Sequence, residues 1–151
     1  MKLEIITNNE IETQEVAKKL CKVLPVPSVV SLVGDLGAGK TTFTKGIADA
    51  LEIEEMITSP TFTILNEYKN GHTPLYHFDM YRLESEGEAR EVGFETYFDL
   101  KTLDGITIVE WAENVKGLLP KHHYVVTIEK LGEDKRKIIF EELKEEKKWK
   151  F

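Results

Sequence analysis

Gly34-Asp35-Leu36-Gly37-Ala38-Gly39-Lys40-Thr41 matches the pattern G-x-x-x-x-G-K-[ST] at every fixed position. No other stretch restricts the fold as strongly, because such a loop works only between a buried strand and a helix N-terminus. The glycines let the backbone wrap close to a polyphosphate with successive N–H groups turned inward. The flanks agree with this reading. Residues 29–33 form a β-branched apolar run that reads as a buried strand, and Phe43, Ile47, Ala50 and Leu51 recur at helical spacing behind the loop. The backbone of Asp35, Leu36, Gly37, Ala38, Gly39, Lys40, Thr41 and Thr42 is therefore expected to cradle a nucleotide. Lys40 would reach its β- and γ-phosphates, and the Thr41 hydroxyl would ligate Mg²⁺.

The rest of the chain fits around this unit. Residues 3–6 read as an edge strand. Asn9 and Glu12 are spaced as a capping box, and Ile11, Val16, Ala17, Leu20 and Leu24 mark one helical face stopped by Pro25. Residues 62–68 and 75–81 read as two strands joined by a turn at Asn70-Gly71, 84–91 as a polar helix and 106–109 as a second fully apolar strand. Residues 124–128 and 137–140 read as a closing hairpin around Gly132. With 151 residues and no linker, the expectation is one domain over 1–151, with a charged tail over about 144–151. In that tail Trp149 and Phe151 could anchor a partner.

A phosphate loop needs carboxylates at neighbouring strand ends to hold Mg²⁺ and orient water. Two qualify: Asp79 after Leu75-Tyr76-His77-Phe78, and Glu110 after Ile106-Thr107-Ile108-Val109. Spacing alone does not divide the two roles between them. His77 alternates with Asp79 and shares its face, where a structural histidine is the commoner outcome. Trp111 reads either as core packing or as a site wall, and Ser59-Pro60-Thr61 by itself reads as an ordinary loop.

The net charge is −7, and only Arg82, Arg90 and Arg136 are arginines. An acidic, arginine-poor chain is poorly equipped to grip nucleic acid on its own. A single cysteine, Cys21, and the lack of an apolar leader or spanning run lead to the expectation of a reducing, cytoplasmic location with no membrane partner.

DLGAGKTTFTKGIA, SPTFTILNEY, LYHFDMYRL and IVEWAENV-x3-LP, in this order, resemble the TsaE (YjeE) family, the bacterial P-loop ATPases of tRNA threonylcarbamoyladenosine biosynthesis. The resemblance runs over about 3–140. It implies an α/β fold, P-loop NTPase-like and three-layered, with a mixed, mostly parallel central sheet and antiparallel additions. It implies ATP and Mg²⁺ as cofactors and slow ATP hydrolysis. It also implies action through a TsaB–TsaD complex that modifies position 37 of tRNAs reading ANN codons, so that tRNA is met only through partners. Carried over by motif, Lys40, Asp79 and Glu110 are the catalytic residues, with Thr41 and Glu110 as the Mg²⁺ ligands. Thr61 matches the SPT switch, Trp111 follows the ligand as in the family, and Arg82 is a candidate further cation. The segment around 7–10 and the basic loop at Lys135-Arg136 should flank the nucleobase, with no base contact assigned.

Other classes lack their signatures. A GTPase would need a guanine-reading N/TKxD and a DxxG switch, and neither occurs. A small-molecule kinase, the alternative reading, clamps two anionic substrates with several arginines, which this chain has not got. A switch that binds ATP without turnover would not need both Asp79 and Glu110.

Overall fold

β2 (Ser28–Val33) and β5 (Ile106–Glu110) lie side by side as parallel strands, Ser28 against Ile106 and Leu32 against Glu110. Their side chains are buried on both faces, which is why both are mostly apolar and neither alternates strictly between apolar and polar residues. In this computed structural model, which describes residues 1–144, they form the centre of a seven-stranded sheet.

β6 (His123–Lys130) joins β2 on one side and β4 (Leu75–Asp79) joins β5 on the other, all four parallel. Antiparallel strands finish both ends. β7 (Arg136–Leu143) pairs with β6 and β1 (Lys2–Thr7) with β7, while β3 (Leu65–Tyr68) pairs with β4, giving the order β1-β7-β6-β2-β5-β4-β3. Helices α1 (Glu10–Val23) and α2 (Lys40–Ala50) pack on one face with Val30, Leu32, Ile106 and Ile108. On the opposite face, α3 (Glu86–Glu91) and two 3₁₀ segments, Phe94–Tyr97 and Ala112–Leu118, cover Val29, Tyr76, Phe78 and Val109. The result is three layers around a mixed sheet with a parallel centre, the expected class. Among the described residues no helix is long and apolar enough to cross a membrane.

Period-two alternation then decides where the chemistry lies. Leu75, His77 and Asp79 share the α2 face of β4, as Ile106, Ile108 and Glu110 share that face of β5, and Asp79 is in register with Glu110. Both carboxylates thus stand at the C-terminal edge of the parallel strands beside the loop that leaves β2, where ligands bind in open α/β sheets. α2 can sit close above because Gly46 lies against α1: a Cβ there would fall 2.6 Å from that of Ala17.

Four details depart from expectation. The strand expected over 62–68 begins only at Leu65, because Ile64 donates its N–H to the Pro60 carbonyl and takes φ +68°, which breaks the extended run. The strand expected over 75–81 stops at Asp79, where Met80 enters a turn closed by Leu83 N–H. The helix expected over 84–91 spans 86–91 with Ser85 as its cap. On α1, Ile11 is exposed and Thr13 is buried in its stead, its hydroxyl 2.8 Å from that of Thr7. The expected tail beyond Lys144, with Trp149 and Phe151, lies outside the described residues.

Candidate functional site

The loop after β2 meets α2 through Gly39, which has φ +105°, and Gly37 has φ +79°, so both occupy backbone regions open chiefly to glycine. Lys40 is the first residue of α2, and the helix N-terminus therefore opens onto the loop. A cavity of about 880 Å³ lies there. Leu36, Gly37, Gly39, Lys40, Thr41 and Thr42 line it from below, with Asp79 and Glu110 from the strand ends and Ser59 and Thr61 from the loop before β3. Asp35 and Ala38 do not line it; the Asp35 carbonyl instead accepts the Ala38 N–H at 3.0 Å and closes the loop's internal turn.

Glu110 is the electrostatic centre. Its Oε2 accepts a hydrogen bond from Nε2 of the fully buried His77 at 2.7 Å, and its Oε1 lies 3.3 Å from Lys40 Nζ. Burial alone would push this carboxyl up. The hydrogen bond and charge of His77, together with Lys40, outweigh burial and hold it below the usual carboxylate range. Asp79 is 5% exposed: its Oδ1 accepts the Tyr81 N–H at 3.0 Å, and its Oδ2 accepts the Thr61 hydroxyl at 3.2 Å. The Ser59 hydroxyl lies 2.8 Å from that of Thr61, so the Ser-Pro-Thr segment is tied to a strand-end carboxylate rather than being an ordinary loop.

Trp111 is a wall of the cavity, not core. It sits at φ +58°, 42% exposed, with its ring centroid 4.9 Å from that of Tyr81, which lines the cavity beside it. Arg82 does not join the site: its guanidinium lies over the exposed Phe62 ring, 4.5 Å from the centroid. The fourth wall comes from Glu10, Thr13, Glu133, Asp134 and Arg136, which brings the segment near 7–10 and the β6–β7 turn to one cavity.

Two residues carry more of this geometry than their sequence context indicates. His77 had one signal, its two-residue spacing from Asp79, but pairing with Glu110 depends on the register of β4 and β5. Arg136 was expected only in a basic loop beside the nucleobase, and nothing in its sequence context points to the phosphate loop. Its guanidinium donates to the carbonyls of Ala38 at 2.7 Å and Gly37 at 3.3 Å, and to those of Gly132, Glu133 and Lys135 at 3.0–3.1 Å.

A sheet with a parallel centre, whose strand ends gather a glycine loop, a lysine and two carboxylates at one helix N-terminus, defines a phosphate-loop protein. Residues 7–138 match the family profile described as "Threonylcarbamoyl adenosine biosynthesis protein TsaE", and the chain belongs to the TsaE family. It is 44% identical over 134 residues to the tRNA threonylcarbamoyladenosine biosynthesis protein TsaE of Bacillus subtilis, spanning 89% of this chain and 82% of that one. The protein of the same name from Rickettsia felis is 42% identical over 134 residues, 87% of this chain and 75% of its own. The crystal structure of Bacillus subtilis YdiB superposes with a TM-score of 0.78 at 38% identity, covering 93% of this chain and 84% of that one.

Proposed function

We propose that this chain is a Mg²⁺-dependent ATPase required for the threonylcarbamoyladenosine modification at position 37 of tRNAs reading ANN codons. It acts in the cytoplasm as one phosphate-loop domain, through a complex with TsaB and TsaD. The observation that carries the chemistry is the convergence of Lys40, Thr41, Asp79 and Glu110 on one cavity. The pathway rests on family membership and on the names of the relatives.

In this reading the loop amides and the α2 N-terminus bind the phosphates, and Lys40 offers its charge to the β- and γ-groups. Thr41 and Glu110 would hold Mg²⁺, which when bound neutralises charge developing on the phosphate oxygens. The donor set fits that ion. Among the described residues no three His, Cys, Asp or Glu side chains gather to hold a metal by themselves, and Mg²⁺ characteristically takes one or two protein oxygens and completes its shell with phosphate and water. His77 orients Glu110. Asp79 positions the attacking water or its neighbours, and Thr61, bonded to Asp79, links the switch segment to that carboxylate. Little covalent chemistry is asked of the protein; positioning and electrostatics supply the rate.

The kinase alternative is disfavoured by the arginines. Arg82 lies on Phe62, Arg90 pairs with Glu95 and Arg136 is engaged by carbonyls, so none is positioned to clamp a second anionic substrate. The deciding experiment measures ATP hydrolysis by wild type, Lys40→Ala and Glu110→Ala, with and without a purified TsaB–TsaD pair. Lys40→Ala should lose tight nucleotide binding, and Glu110→Ala should lose turnover more than binding. Wild-type hydrolysis should rise with the pair. Equal hydrolysis by wild type and Glu110→Ala would sink the metal-ligand assignment, and stimulation by small phosphate acceptors instead would favour the kinase. With a net charge of −7, the chain alone should bind tRNA weakly, leaving that grip to its partners.

A further inference from the structure

We infer that Arg136 is a positioning residue for the phosphate loop: it fixes the peptide between Ala38 and Gly39 so that the Gly39 N–H stays turned to the nucleotide. The inference deepens the nucleotide-binding reading and rests on it. A loop that presents N–H groups to an anion must turn its carbonyls the other way, and those carbonyls need donors of their own. The Ala38 carbonyl has one, Arg136 Nε at 2.7 Å, and the Gly37 carbonyl has another, Nη2 at 3.3 Å. Because a peptide unit is planar and trans, holding the Ala38 oxygen on one edge directs the Gly39 N–H from the opposite edge. The Ala38 N–H, by contrast, is already spent on the Asp35 carbonyl, so the amide of Gly39 is the one this contact leaves free to serve.

The anchor is equally specific. Nη1 of the same guanidinium donates to the carbonyls of Gly132, Glu133 and Lys135, so the β6–β7 turn holds the arginine while the arginine holds the loop. All five acceptors are main-chain oxygens, so the residue spends its donors on geometry rather than on a charge partner. A rigid fork of donors can bridge two loop carbonyls and a turn at once, whereas a lysine ammonium, a compact point on a flexible stem, cannot. Gly39 takes φ +105°, which a side chain would strain, although a Cβ there would meet Arg136 Nε only at an ordinary contact distance of 3.7 Å.

The test compares wild type, R136Q and R136K in the full chain. In nucleotide-free protein, hydrogen exchange of the 36–40 amides should speed up in both variants while β2 and β7 amides keep their protection. ADP and ATP affinities should fall by the same factor, about tenfold, with kcat at saturating ATP changed far less than KM, and R136K should not restore them. Unchanged exchange in the loop overturns the inference. So does full rescue by R136K, which would make charge alone sufficient, or a loss confined to ATP, which would make Arg136 a direct γ-phosphate contact. A wild-type protein that binds neither nucleotide would instead remove the proposed function, and the exchange measurement would still decide whether Arg136 orders the loop.

Discussion

His77 donates through Nε2 to Oε2 of Glu110 across 2.7 Å, between neighbouring parallel strands and out of contact with solvent. A buried carboxylate stripped of such a donor keeps its desolvation cost without the compensating bond, since Lys40 reaches only the other oxygen. His77→Ala should therefore lower stability by about 3 kcal/mol. His77→Gln, whose amide can donate, should recover part of it. Urea unfolding followed by far-UV circular dichroism measures both, and an alanine variant as stable as wild type would show that the pair is not holding the strand ends.

The same carboxylate sets a pH dependence. Its folded-state pKa is held below the ordinary value of 4.5, so between the two values the folded chain carries fewer protons than the unfolded one. Stability from this group is thus fully present above the ordinary carboxylate pKa and is lost as pH falls through the lower, folded value. Glu110→Gln removes the titration. Its stability should fall less steeply than that of wild type below about pH 4.5, as read from unfolding midpoints at a series of acid pH values; parallel acid limbs would argue against the assignment.

Thr61 offers a test of the switch segment. Its hydroxyl donates to Asp79 at 3.2 Å from the loop before β3. Thr61→Val keeps the shape and removes the donor, so kcat for ATP should drop about tenfold while ADP affinity holds. Thr61→Ser should stay near wild type. Steady-state hydrolysis and ADP titration separate these effects, and a valine variant with full turnover would reduce the segment to an ordinary loop.

Legibility followed the range of the interactions. The phosphate loop, the apolar strands that flank it and the cap at Asn9 depend on neighbours a few residues away, and local spacing carries that information. Strands were read too long at the start of β3 and at the end of β4, because the turn at Ile64 and the stop at Asp79 depend on contacts with the site rather than on propensity. The roles of His77 and Arg136 were the least readable. One needs the register of two strands joined through a long crossover, and the other spans 98 residues between Ala38 and the β6–β7 turn. Arg82, by contrast, sat inside a recognisable motif and yet packs on Phe62 outside the cavity, since a motif position does not determine a long side chain's direction.

Trp111 closes the site at a backbone cost that can be measured. It follows Glu110 directly, has φ +58° and brings its indole to within 4.9 Å of the Tyr81 ring at the cavity wall. A non-glycine residue in this left-handed region costs about 1 kcal/mol or more, so the chain accepts strain where β5 ends to put the ring beside its carboxylates. Removing the ring in two ways isolates that strain. Elsewhere glycine is the less stable choice, because it has more backbone freedom to lose on folding. At this position the order should invert: Trp111→Gly should be more stable than Trp111→Ala by about 1 kcal/mol, with both variants losing the indole contact equally. Paired urea titrations give the sign directly, and an alanine variant at least as stable as the glycine one would mean that the backbone at Trp111 is unstrained and its conformation is not what places the ring.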